Sequence, residues 1–193
     1  MMVRPKARHF LVAFALTSGL LSAADEEAGK ILRPADRSSH NSDQIDIVAT
    51  APSGKLQLDG ALIENEQPFP NVLHATVKAK PGLHSLVLFW EGGKKEVHFF
   101  VGPNPPAGFQ PFHQHPPLPG VQCTQCHGLS RSGRFTFKGG CFDCHQRDSF
   151  DRVHTHDPEV LERCGMCHNA HGSTVKSYLL YSKEAACKLC HNH

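Results

Sequence analysis

The chain has 193 residues, with 20 Lys+Arg against 18 Asp+Glu, a formal net charge of +2 and 39% hydrophobic residues. That balance allows a small apolar core and excludes nucleic-acid binding driven by bulk charge, because Lys94-Lys95 is the only adjacent basic pair. All eight cysteines lie at or beyond Cys123, so cysteine chemistry is confined to the C-terminal part.

At the N-terminus, Arg4, Lys6, Arg8 and His9 precede an apolar run from Phe10 to Leu21, followed by Ser22-Ala23-Ala24 and the acidic Asp25-Glu26-Glu27. This is the pattern of a secretory signal peptide over 1–24, cut after Ala24. The apolar run is short for a membrane span, so no stable membrane insertion is expected. No cysteine stands near the cut for lipid attachment. Removing 1–24 takes away Arg4, Lys6 and Arg8 and leaves 17 Lys+Arg against 18 Asp+Glu, a nearly neutral mature chain.

Residues 25–43 are polar and lack helical or strand periodicity, which predicts a mobile leader. From 44 to 102 short β-prone runs alternate with turn residues. Leu83–Trp90 and Lys95–Val101 flank Glu91-Gly92-Gly93-Lys94, a hairpin whose paired glycines permit a primed turn. Asp59-Gly60 and Pro81-Gly82 mark further turns, and 71–79 forms another strand. These features predict a small antiparallel β-sandwich or open barrel. Its histidines, His74, His84 and His98, are expected to be ordinary strand residues, and Trp90 with Phe89, Phe99 and Phe100 to be core. With its Ser-Gly-Lys start, Asp-Gly turn and Pro-Gly-Leu-His approach to the last hairpin, this segment resembles PEGA-like and other immunoglobulin-like accessory domains. Prolines at 103, 105, 106 and 111 then predict a semi-rigid linker over 103–112.

The segment 113–193 holds four copies of one pentapeptide: Cys123-Thr-Gln-Cys126-His127, Cys141-Phe-Asp-Cys144-His145, Cys164-Gly-Met-Cys167-His168 and Cys187-Lys-Leu-Cys190-His191. On a helical turn residues i, i+3 and i+4 share a face. Two thiols can then bond the vinyl groups of one porphyrin while the histidine reaches its iron, as in c-type haem attachment. The competing patterns are a zinc ribbon, local disulfides and thioredoxin-like redox chemistry. None of them requires a histidine after every second cysteine. With 15 histidines in 193 residues, four such coincidences have a chance of roughly a few in 100,000. Four covalently bound haem c groups are therefore expected, with His127, His145, His168 and His191 as proximal ligands.

The same segment is an internal duplication. His113-x-His115 and His154-x-His156 each stand at the same offset before a pair of motifs, 41 residues apart, which divides it into units 113–153 and 154–193. Asp157-Pro158 predicts the start of a short helix through Cys164 and Cys167, and Ser182 the start of another through Cys187 and His191. Aliphatic residues are few, so porphyrins are expected to supply much of the interior. The fold class expected for the whole chain is two-domain: a small antiparallel β-sandwich-like domain, then a haem-packed domain of short helices and loops.

The second unit, with His156-Asp-Pro158, both motifs, Asn169-Ala-His171-Gly and Leu179-Leu180, closely resembles the doubled-CXXCH family of multihaem cytochromes. The first unit shares His115-Pro-Pro117 and both motifs, but has Ser130 where the second has His171. The resemblance implies distal ligands His115, His156 and His171, with His154 or His113 completing the set. His171 lies only three residues beyond His168, so it is expected to serve a neighbouring haem. Saturated bis-histidine iron exchanges electrons without binding substrate. The expected protein is thus a periplasmic or extracellular electron-transfer cytochrome whose partners are other cytochromes or a membrane quinol-oxidising complex. Two alternatives are a multihaem reductase acting on a nitrogen or sulfur oxyanion, and a docking subunit that uses the β-domain to seat haems on a larger assembly.

Overall fold

The computed structural model describes residues 29–115, 122–146, 148 and 163–191. The expected signal peptide, His154, His156, the helix start at Asp157-Pro158 and His193 lie outside the described residues.

In chain order the N-terminal strands are β1 (Lys30–Arg33), β2 (Ser38–His40), β3 (Gln44–Thr50), β4 (Lys55–Leu58), β5 (Ala61–Ile63) and β6 (Glu66–Phe69). They continue with β7 (Val72–Lys78), β8 (Gly82–Trp90), β9 (Gly93–Val101) and β10 (Gln110–Pro111). Two sheets, ordered β1-β3-β7-β6 and β10-β2-β9-β8-β4-β5, share one core. Alternation is the cause, since every second side chain of a strand faces the same way. Ile45, Ile47 and Ala49 of β3 and Leu73 and Ala75 of β7 point inward from one sheet. Leu56, Leu86, Leu88, Val97, Phe99 and Val101 point inward from the other. Each large aliphatic or aromatic side chain buried there stabilises the fold by about 1.5–3 kcal/mol.

Register follows from the turns. β8 and β9 pair from Gly82↔Val101 to Trp90↔Gly93, which leaves Glu91-Gly92 as a two-residue loop. β4 and β5 pair through Leu58↔Ala61 around Asp59 and Gly60, whose φ values of 50° and 84° are those of a primed turn. The His84 ring is buried, stacks on Phe99 with centres 5.2 Å apart, and is held by Asp59 at 2.7 Å, so this histidine is part of the core.

Three expectations change. Residues 30–40, placed in a mobile leader, form β1 and β2. β1 pairs antiparallel with β3, and β2 lies parallel to β9 (Ser38↔Phe99), pairings between distant residues that no local pattern announces. The sheet containing β2 is therefore mixed, not purely antiparallel. The proline-rich stretch ends on the sheet: β10 adds parallel to β2, with the Gln110 and Phe112 N–H groups donating to the Arg37 and Ser39 carbonyls at 2.9 Å each. Pro111 stands between those two donors on an edge strand, where its missing N–H removes no ladder bond.

Beyond 115 the elements are short: α1 (Cys123–Cys126), β11 (His127–Leu129), β12 (Phe135–Phe137), α2 (Cys141–Cys144) and α3 (Lys183–Lys188). Two 3-10 turns, Cys164–Met166 and Lys176–Tyr178, join them. The described part of the helix expected through Cys164 and Cys167 is thus a 3-10 turn. Ser182 caps α3 by accepting the Ala185 N–H at 3.3 Å, and the helix stops at Lys188, before His191. Among the described residues every buried hydrophobic side chain lies between Ile45 and Val101, whereas Leu129, Phe135, Phe137, Phe142 and Leu189 are exposed. No helix among the described residues is long and apolar enough to cross a membrane.

Candidate metal centre

All four pentapeptides close in the same way. The backbone N–H of His127, His145, His168 and His191 donates to the carbonyl of the first cysteine of its own motif, Cys123, Cys141, Cys164 and Cys187, at 2.9 Å in the last three. This i to i+4 bond closes one turn in each motif, α-helical in some copies and 3-10 in another. None of the eight cysteines is in a disulfide. Among the described residues no three His, Cys, Asp or Glu side chains converge to hold a metal ion. Burial pushes the Cys141 thiol up, and the thiols of Cys164 and Cys126 push the same way, so residues of three motifs lie near one another.

The imidazoles make two notable pairs. His127 and His171 have ring centres 5.9 Å apart and planes 3° from parallel. His115 and His145 have centres 5.9 Å apart and planes 12° from parallel. Two imidazoles ligating one metal from opposite sides have centres about 6.4 Å apart, given metal–nitrogen bonds of about 2 Å and roughly 1.2 Å more to each ring centre, so both pairs fall within about 0.5 Å of that spacing. Hydrogen bonds to backbone carbonyls also fit ligation, because a bond at Nδ1 fixes the ring and leaves Nε2 for a metal. His115 Nδ1 lies 3.1 Å from the Ala170 carbonyl, and His168 Nδ1 lies 2.9 Å from the Ser177 carbonyl. Burial lowers the His171 pKa to about 4, helped by Arg33, and burial lowers that of His127 against the opposing Thr136 backbone. Both rings are then neutral at pH 7, the form that binds metal. Exposed apolar side chains around these rings offer surfaces that a porphyrin would cover. Phe135 lies 4.7 Å from the His127 ring and Phe137 5.6 Å from it.

The outer face of the β1-β3-β7-β6 sheet seats these histidines. A bulge between Ile31 and Arg33 sets Arg33 opposite Val48, on the face that also carries Asp46 and His74. Arg33 is 7% exposed and donates to Asp46 and to the backbone carbonyls of His115 and His171. His74 Nε2 lies 2.7 Å from the other Asp46 oxygen. Phe69, at the end of β6, packs 5.0 Å from Phe135 and 6.5 Å from His127. Gly172 closes the seat, because a Cβ there would lie 2.6 Å from the His113 carbonyl and its φ is 112°.

His113 exchanges backbone hydrogen bonds with Ser173 at 2.9 and 3.0 Å, and its ring faces Tyr178 edge-on at 6.5 Å. Ser130, at the position equivalent to His171, occupies the β11–β12 turn, where its hydroxyl meets Ser132 at 2.9 Å and accepts the Arg134 N–H at 3.1 Å. The first unit thus uses this position for a hairpin. Sequence reasoning missed Arg33, Phe69 and Tyr178. Arg33 stands alone in a polar stretch and Phe69 between turns, so no spacing signalled either.

The family model for the doubled CXXCH motif matches residues 156–193. Curated protein sequences give no match to the chain. Among solved structures, the chain is similar to an FMN-binding beta-glucuronidase from Facaelibacterium prausnitzii L2-6, at 14% identity and TM-score 0.34. That match covers 41% of this chain and 12% of the glucuronidase chain. It is also similar to fibronectin(III)-like modules of Clostridium thermocellum CbhA, at 21% identity and TM-score 0.31, covering 38% of this chain and 95% of that one. The twitchin kinase region from C. elegans matches at 14% identity and TM-score 0.28, over 40% of this chain and 17% of that one. The C-terminal residues 156–193 are a doubled CXXCH segment, a motif that implies covalently bound haem c.

Proposed function

We propose that the chain is an exported tetrahaem c-type cytochrome that passes electrons between redox partners, and that His127/His171 and His115/His145 are axial pairs on two of its haems. The observation that carries this reading is that two imidazole pairs, each 5.9 Å apart and nearly parallel, join one motif histidine to one histidine outside that motif. An offset stack of two rings spans a similar distance. Shared ligation is favoured because both pairs combine members in this way and because His115 Nδ1 is already directed at a carbonyl.

When bound, haem iron supplies one-electron exchange. The chain's part is to hold the rings in place and, for His127 and His171, to keep them neutral by burial. Each pair joins distant parts of the segment, and in the His127/His171 pair the two rings come from different units. Cys141 likewise lies close enough to Cys126 and Cys164 to be perturbed by both. Cofactors held in this way would sit close together, which suits hopping from one to the next. His168 and His191 are the remaining proximal ligands, with His154, His156 and His113 as their candidate distal partners. The cysteines at 123, 126, 141, 144, 164, 167, 187 and 190 are the attachment points. The signal-peptide pattern and the export-coupled chemistry of haem attachment support a periplasmic or extracellular location. The partners would be other cytochromes or a membrane quinol-oxidising complex.

Intact mass and haem-stained gels of protein from a host competent in cytochrome maturation test the count. A mass excess of four haems is the expected result, and bound zinc without porphyrin would overturn the reading. Visible spectra test the ligation. Fully low-spin haem is expected, whereas a high-spin fraction that binds carbon monoxide or nitrite would move the assignment to the reductase alternative.

A further inference from the structure

We propose that Arg33, from the first strand of the β-domain, is the positioning residue that straps the backbones of His115 and His171 together and, with Asp46, tunes the potentials of the two haems those histidines ligate. The proposal rests on the reading of both histidines as axial ligands and goes beyond it by giving the β-domain a part in the redox site.

An ion pair with Asp46 would need only one edge of the guanidinium. Here the fork is divided three ways. Nη1 donates to Asp46, Nε to the His171 carbonyl and Nη2 to the His115 carbonyl. A planar guanidinium can serve three acceptors in fixed directions, whereas a lysine ammonium on a flexible stem cannot reproduce that fork. The two carbonyls belong to the two histidines whose rings stand against different motif histidines, His171 against His127 and His115 against His145. One buried side chain therefore holds the backbone of one member of each pair. The bulge that turns Arg33 toward Asp46 has a clear consequence there, since strand bulges re-aim side chains. Asp46 is itself oriented by His74, 2.7 Å from its second oxygen.

The electrostatic half follows from sign. Arg33 is buried, so its charge is screened less than a surface charge would be. A cation near an iron favours the reduced form, which carries one positive charge fewer, and raises the potential. The Asp46 carboxylate opposes this. A residue with only a packing role would not give its anionic partner the opposite effect.

The test uses the full chain, matured with haem, as wild type, R33Q, R33K and D46N. Intact mass gives the haem count, visible spectra the spin state, and a potentiometric titration the individual potentials. R33Q is expected to keep the wild-type haem count, lower the potentials of two haems and produce a high-spin fraction. D46N should shift the same two haems upward. R33K should hold the potentials near wild type while still showing the high-spin fraction, because charge is kept and the strap is lost. Should R33Q fail to fold, the contrast between R33K, with a high-spin fraction at near-wild-type potentials, and D46N, with raised potentials, carries the test. Wild-type spectra and potentials in the Arg33 variants of a haem-loaded protein overturn the proposal alone, as do shifts of the same sign in R33Q and D46N. A wild-type chain without haem overturns the ligand reading and the proposal with it.

Discussion

The two parts of this chain solve the problem of an interior differently. The β-sandwich makes its own: two sheets bury Ile45, Ile47, Leu56, Leu73, Leu86, Leu88 and Phe99 against one another. Among the described residues, the CXXCH segment contributes no hydrophobic residue to the buried set, and Leu129, Phe135, Phe137, Phe142, Leu180 and Leu189 are exposed. Its order comes from single hydrogen-bonded turns and from contacts with the sheet beneath it. One region is stabilised by its own side chains, and the described part of the other shows no such core. The seat between them is where they meet, through Arg33, Phe69 and Gly172.

The strongest way to break that comparison is to withhold the cofactor. A chain with all eight cysteines replaced by alanine is expected to keep a folded β-domain and to lose order beyond about residue 113, since small segments without a core depend on bound groups for stability. Limited proteolysis with mass mapping reads this directly. Protection of the CXXCH segment equal to that of the sandwich would remove the contrast. The complementary change is Phe99→Ala. Phe99 is fully buried and packs against His84 and His40. Its truncation should cost the sandwich about 3–5 kcal/mol in urea denaturation, while leaving the haem spectra of matured protein unchanged below the transition.

Legibility in the sequence divides along the same line, between local and long-range causes. The pentapeptides could be read because their residues are near neighbours in sequence, and the structure gives all four the same closing hydrogen bond. The β8–β9 hairpin, the strand at 72–78 and the Asp59-Gly60 turn were readable for a similar reason, since alternation and positive φ belong to neighbouring residues. β1 and β2 were not readable. Their stability comes from partners on β3 and β9, and a stretch such as Ser38-Ser39-His40 shows no apolar alternation of its own. The pairing of His171 with His127 is of the second kind too. Spacing could say that His171 does not serve its own motif, but only the chain path through the seat says which ring it meets. Arg33 was invisible for the same reason, because its three acceptors come from β3 and from two distant loops.

A pH series sharpens the comparison from the side of the sandwich. Burial lowers the His40 pKa from 6.5 to about 4, with the ring between Phe99 and Phe112. A histidine that binds its proton more weakly when folded destabilises the fold as the unfolded form gains that proton. Its contribution is therefore whole above pH 6.5 and is lost as pH falls from about 6.5 toward 4, with a span on the order of 2–3 kcal/mol. Asp46 and His74 act otherwise in that window. Burial raises the Asp46 pKa, but His74 and Arg33 outweigh it and leave it lowered, so the carboxylate stabilises the fold above about pH 3.8. The Asp46 hydrogen bond raises His74, which therefore stabilises below 6.5 and loses that contribution as pH rises. Urea midpoints of wild type and His40→Phe between pH 4 and 7.5 separate the terms. The variant should lose much of the acid-side decline, and parallel curves would assign the decline elsewhere.

The smallest expected effect lies in the other region, where the described residues bury no hydrophobic side chain. Ser182 caps α3, six residues long, by accepting the Ala185 N–H at 3.3 Å. In a long amphipathic helix packed on a core, one cap is a minor share of the stability. α3 buries no residue, so its cap and its last-turn bonds are a large share of what holds Cys187 in place. Ser182→Ala should cost about 1 kcal/mol, the usual value of an N-cap hydroxyl. The loss should be local, seen as faster hydrogen exchange at the Ala185 and Ala186 amides with no change in the β8 and β9 amides. Covalent haem at Cys187 and Cys190 would hold the same turn from its other end, so the acceleration should be larger in the haem-free chain than in matured protein. Equal acceleration in both would mean that the attached group does not stiffen the turn, and the contrast between the two regions would then have to rest on packing alone.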